Sequence, residues 1–210
     1  MKFLPRWLAG VPLLVVIIGC AGVPIQEMSD ARQAIKAARE MIAQQPIPIR
    51  LLTSAEHSLT QAEENLKAGY LALARHQALL AKEQAVKAHD LAMALVRAKT
   101  VWETIVSLGY PPNEQSNLLL DQAQKALLEN DVDQAISLAN QTYHQGQSVL
   151  NRAYLQKTKL LMDKMKEQRA KLLPRQVIIL EAAFQAYRQQ DGQKAYKLMI
   201  DLSHKISLPP

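Results

Sequence analysis

The chain has 210 residues, 49% of them hydrophobic but only 5% aromatic, with a formal net charge of +6 and a single cysteine. One cysteine excludes an internal disulfide framework, so the fold must rest on packing, and that packing must come from Ala and Leu rather than from aromatic side chains. Thin Ala-lined helix pairs fit this balance better than a thick globular core, and a mild basic excess with no aromatic-interleaved basic motif argues against a nucleic-acid partner.

The first predicted element is a leader. Lys2 and Arg6 precede an apolar stretch, Leu8 to Ile18, of signal-peptide length with Pro12 inside it. Ile17, Ile18, Gly19 and Cys20 close it. A branched apolar residue at the third position before the cysteine, a small residue just before it and a thiol to accept acyl chains resemble the lipobox of bacterial lipoproteins. That resemblance implies a signal peptide over 1–19, covalent lipid on Cys20 as the one attached group, and a tether over 20–28. It also implies export, and by the enterobacterial sorting rule Ala21, in place of an aspartate, directs the protein to the outer membrane. The body would then face the periplasm; inner-membrane anchoring is the alternative. Two other readings stay open. Trp7 to Ile25 carries no charge and could just cross a hydrocarbon core of ~30 Å as an uncleaved anchor, with Lys2 and Arg6 in the cytoplasm. Pro12, Gly19, Gly22 and Pro24 make a poor spanning helix, however. In the other, Cys20 is a free buried thiol. Cleavage before Cys20 leaves 191 residues, and the loss of Lys2 and Arg6 brings the charge of +6 down to +4.

Ser29 or Asp30 can cap a helix through Ala31, Ala34, Ile35, Ala38 and Ile42, which Pro46 and Pro48 end. Ala55, Leu59, Ala62 and Leu66 then mark the buried face of a helix from about Arg50 to Ala68, and Gly69 breaks it. Beyond it, Ala74, Ala78, Ala81, Ala85, Ala88, Ala92 and Leu95 alternate four and three, a coiled-coil seam made from the smallest apolar side chain. Trp102 and Val106 carry this helix toward Gly109, Pro111 and Pro112.

The pattern then recurs. Leu59, Ala62, Leu66, Gly69, Tyr70, Ala74 and Ala78 correspond to Leu120, Ala123, Leu127, Asn130, Asp131, Ala135 and Ala139, and again to Leu180, Ala183, Tyr187, Gln190, Asp191, Ala195 and Met199. Each copy reads as a helix, a tight turn and a second helix. The expected fold is all-α: elongated antiparallel helical hairpins in an Ala-rich, coiled-coil-like bundle of about three repeats. The hairpin regions are 29–108, 109–173 and a shorter 174–210. The unit is weakly similar to a tetratricopeptide hairpin, but that repeat recurs at roughly 34 residues. The spacing here is near sixty, which calls for second helices of perhaps 40 residues, ~60 Å long, and so for a rod or elongated bundle.

Residues 24–94 carry Ser29-Asp30-Ala31-Arg32-Gln33-Ala34-Ile35, then Ala55-Glu56, Leu59, Ala62-Glu63, Leu66, Gly69-Tyr70 and Ala74-Arg75. This text resembles the domain-of-unknown-function family 4398 of Gram-negative envelope lipoproteins. There a Ser-Asp-Ala start precedes an Ala-Glu helix, a Gly-Asp-Tyr-like turn and a long Ala-rich helix. The acidic turn residue is missing here. The resemblance implies an envelope helix hairpin and supplies no catalytic residues.

His57, His76, His89, His144 and His204 lack the helical spacing of a metal pair. Glu63, Glu64, Glu83 and Asp90 read as solvated helix faces rather than a glycosidase pair, and no serine sits in a nucleophile motif. The expected protein is therefore not an enzyme. Partner contacts could come from Tyr70, Tyr110, Tyr143 and Tyr187 near turns, from the apolar cluster around Trp102, or from self-association along the Ala seam. Lys157, Lys159, Lys164, Lys166, Arg169, Lys171 and Arg175, opposed by Asp163 and Glu167, form a basic stretch that suits lipid or lipopolysaccharide phosphates or the cell wall; the plain alternative is a solvated helix face. The functional expectation is a non-enzymatic outer-membrane lipoprotein, a periplasmic adaptor or scaffold for an envelope protein. The alternatives are a peptidoglycan- or lipopolysaccharide-binding module and a pilotin-like assembly factor for an outer-membrane channel.

Overall fold

The computed structural model describes residues 22–43, 50–111 and 114–207, and the side chains of all of these except 114–116, 167 and 168. Ile17, Ile18, Gly19 and Cys20 lie outside the described residues. Among the described residues are seven α-helices and no strand: α1 (Ile25–Ala43), α2 (Arg50–Lys67), α3 (Leu71–Ser107), α4 (Glu114–Leu128), α5 (Val132–Gln168), α6 (Pro174–Arg188) and α7 (Gly192–Ser207). The all-α expectation holds. None of the helices searched is long and apolar enough to cross a membrane.

The expected cap at Ser29 or Asp30 is corrected. The α1 helix begins at Ile25, where the Met28 N–H bonds the Pro24 carbonyl at 3.1 Å, so 25–28, read as tether, are helical. Two forces explain the earlier start. Met28 is 4% exposed and packs on Ala62 and Ala78, and Asp30 reaches sideways to Lys82 at 2.8 Å instead of back to its own backbone.

Three helix ends share one geometry. Gly69, Asn130 and Gln190 have φ of 81°, 61° and 60°. Each donates its N–H to a carbonyl three residues back, and the next residue donates to one five back, the two bonds of a Schellman motif. The helix that follows is capped by Asp131 on the Gln134 N–H (3.0 Å) and by Asp191 on the Lys194 N–H (3.1 Å). Tyr70 offers no side-chain cap at the matching place.

These turns close three antiparallel hairpins, α2–α3, α4–α5 and α6–α7, and each packs on the helix that precedes it. Met28, Ala62 and Ala78 form one layer and Ile35, Ala55 and Ala85 the next, so α1 and α3 run parallel with α2 antiparallel between them. In the second unit Leu91 meets Ala135, and further along both helices Val101 and Trp102 meet Gly146, so α3 and α5 are also parallel. In the third, Met162 and Met165 on α5 join Leu180 and Ala183 on α6 and Met199 and Leu202 on α7. The result is three up-down-up bundles in series, with α3 and α5, 37 residues each, each serving two bundles. At 1.5 Å per residue each spans about 55 Å, and the staggered series about 80 Å.

Small residues set the crossings. Ala74, Ala78, Ala81, Ala85, Ala88 and Ala92 are all at most 1% exposed, as the seam predicted. On α5, a Cβ added at Gly146 would stand 2.5 Å from Val101 Cγ1 and 3.3 Å from Trp102 Nε1, so only glycine admits α3 this closely.

Candidate functional site

The two ends of the series differ, and its junctions explain why the rod is continuous. At the first junction Leu51 of α2 reaches the cluster of Leu91, Ala126 and Ala135, and Lys87 on α3 approaches Asp133 on α5 at 3.8 Å. At the second, Asn151 holds the α6–α7 turn with both ends of its amide. Its Nδ2 donates to the Gln190 carbonyl at 3.0 Å, and its Oδ1 accepts from the Gly192 N–H at 2.9 Å. A Cβ at Gly192 would lie 2.6 Å from the Asn151 carbonyl oxygen, which explains glycine there. Nearby, the Tyr110 hydroxyl donates to Gln156 Oε1 at 2.8 Å, the Lys157 ammonium stands 6.0 Å from the Tyr110 ring centroid, and Tyr154 packs on Tyr196 with ring centroids 5.3 Å apart.

The near end is built by the N-termini of α1 and α3. Arg75 donates from Nη2 to the Gly22 carbonyl at 2.9 Å and lies with Nε 2.7 Å from Glu27 Oε1, an ion pair rather than a well-angled hydrogen bond. The described chain thus begins pinned to the α3 start. Asp30 lies beside it, and the Lys82 ammonium that donates to it and attracts it holds its carboxyl below the ordinary carboxylate value.

The far end is where α5 finishes, a 3₁₀ turn over Arg169–Lys171 follows, and α6 starts with Pro174 in its first turn. The Leu173 N–H donates to Gln176 Oε1 at 2.8 Å, fixing the entry to α6. Leu172 turns into the third core, but Leu173 and Ile178 are each 65% exposed.

The basic stretch does not form one face. At about 100° per residue, Lys157 and Lys164 share one flank of α5 and Lys159 and Lys166 the opposite flank, on either side of the buried row Thr158, Met162 and Met165. Lys157 is occupied at the second junction, and Lys159 lies along the shaft. Lys164, Lys166, Arg169, Lys171 and Arg175 are exposed together around the far end. Lys166 pairs with Asp163 at 2.9 Å; no described carboxylate pairs with the other four.

Of the tyrosines singled out in the sequence, Tyr70 is 61% exposed. Tyr110 and Tyr143 are half-buried around Val101, Trp102 and Ile105, and Tyr187 packs on the third core. Trp102 is buried. No three His, Cys, Asp or Glu side chains among the described residues are grouped to hold a metal ion. Sequence reasoning missed Asn151, Gly146, Gly192 and the role of Arg75. Only Gly146, a helix-weakening residue inside a long helix, carried a readable signal.

No protein family model, no curated protein and no solved structure matches this chain.

Proposed function

We propose that the chain is a non-enzymatic spacer and adaptor of the bacterial envelope, tethered through acylated Cys20 to the outer membrane and extending into the periplasm to hold a partner protein. One observation carries the reading. Gly22, two residues after the proposed acylation site, is bonded to Arg75 at one end of a series of bundles built on unbroken helices. A lipid placed there leaves almost no slack between bilayer and rod, so the far end would stand at a set distance, on the order of 80 Å away. Three acyl chains exceed the two signals needed for stable attachment, at ~0.8 kcal/mol per buried methylene.

The test is intact mass and membrane fractionation of the full chain beside Cys20→Ser. A diacyl or triacyl mass on Cys20 with outer-membrane fractionation, lost in the variant, is the expected result. Unchanged fractionation of Cys20→Ser would sink the lipid-tether reading and leave residues 7–25 as the anchor. Crosslinking from the wild-type envelope then identifies the partner.

A further inference from the structure

We propose that the far end of the rod docks on an anionic phospholipid surface, with Leu173 entering the headgroup layer and the surrounding cations meeting phosphates. The proposal rests on the fold and stands independently of acylation at Cys20.

Three observations converge. The first is charge: residues 164–175 carry five cations and, as carboxylate, only Glu167, a net of +4 that equals the net charge of the whole chain after a 19-residue leader is removed. The second is arrangement. Lys164 and Lys166 lie on opposite flanks of α5, while Arg169, Lys171 and Arg175 continue around the turn into α6. Such cations share no side of the rod; the direction they have in common is outward, along its axis. A plane of negative charge beyond the tip meets all of them at once, whereas a partner against one flank would meet only some. The third is the apolar element. Leu173 is 65% exposed in the connection itself, and Pro174 just behind it fixes the backbone. Ile178, equally exposed, lies one turn further up α6.

A leucine on a convex end has no pocket of its own and needs a partner that can open around it. A fluid lipid surface does this without prior shape, and flanking cations add attraction that grows with anionic lipid content and falls with salt. A folded protein partner would instead need an acidic surface with a preformed socket.

The full chain carrying Cys20→Ser and Leu173→Cys, labelled at residue 173 with an environment-sensitive nitrobenzoxadiazole dye, reads the tip directly. A parallel sample carries the dye at Tyr70→Cys, near the other end. Vesicles of phosphatidylcholine with phosphatidylglycerol should raise the signal at 173 severalfold, and phosphatidylcholine alone should not. The dye at 70 should not respond as the tip does. Adding Lys171→Ala and Arg175→Ala should weaken apparent affinity by roughly fivefold per cation removed, and salt should weaken the parent similarly. Equal response to both lipids, no response at 173, or a vesicle-free response that grows with protein concentration overturns the proposal; the last would mark the tip as a contact between copies. Because Cys20 is replaced throughout, failure here leaves the lipid-tether reading untouched, and failure of acylation leaves this result standing.

Discussion

In the first bundle the side chains at successive crossings are Ala62, Ala74, Ala78 and Ala81, whereas the matching places in the third hold Ala183, Ala195, Met199 and Leu202. All eight are at most marginally exposed, so one backbone plan is filled in two ways. With methyl groups at the crossings, helix axes can approach toward the lower end of the usual 8–10 Å range. Charged side chains on neighbouring helices then reach each other. Glu27 pairs with Arg75, Asp30 with Lys82, Arg32 with Glu63 and Arg39 with Glu56, at 2.6–2.8 Å. The third bundle buries Met162, Met165, Leu180, Met199 and Leu202 instead, and among its described side chains no ion pair joins two helices. The first bundle takes its specificity from tight crossings edged with charge; the third takes its stability from apolar volume. Exposed pairs contribute little each, so the first bundle should be the weaker of the two.

The largest effect should come from removing the third bundle's volume. Leu202→Ala leaves a cavity among Met162, Met199 and Leu180 and should cost about 2–5 kcal/mol in urea unfolding. The reciprocal change, Ala81→Leu, forces three extra carbons into a crossing with no exposed surface and should cost about 1–3 kcal/mol. If instead Ala81→Leu stabilises the protein, the first bundle is loosely packed and the contrast fails. Smaller again is a gain: Tyr70→Asp supplies the carboxylate that Asp131 and Asp191 already provide at the other two turns, and should add about 0.5–1 kcal/mol. Hydrogen exchange should localise that protection to the start of α3. The smallest effect concerns pH. Asp30 has a lowered native pKa, so its stabilisation is present above the ordinary carboxylate value near ~3.9 and is lost as pH falls through the lower native value. The melting-temperature gap between wild type and Asp30→Asn should therefore be open at neutral pH and close in acid. A gap independent of pH would mean that Lys82 holds the residue by hydrogen bonding alone.

Much of this was legible before any coordinates. The Ala74 to Ala92 spacing named a buried face, and Gly69, Asn130-Asp131 and Gln190-Asp191 named the turns, because both signals are local. What covers each face was not legible. The parallel alignment of Ala135 beside Leu91, and of Gly146 beside Trp102, joins residues 44 apart in the sequence, and a heptad pattern reports burial without naming the helix that supplies it. Asn151 read as one more polar residue on a long helix; its value depends on the turn that arrives forty residues later. The basic stretch looked continuous in the sequence, yet helix geometry divides it between a junction, a shaft and an end. The early start of α1 was hidden because Ser29 and Asp30 are good caps in general, and only the burial of Met28 and the position of Lys82 overrule them.

The sharing of α3 and α5 has a mechanical consequence. A pull between the two ends of most multi-domain chains first straightens their linkers, which lengthens the molecule at little cost. Here the path between neighbouring bundles runs through helix interiors, whose backbone hydrogen bonds lie along the line of force. The protein should therefore lengthen little until part of a bundle gives way, so a load applied at one end arrives at the other instead of being absorbed between them.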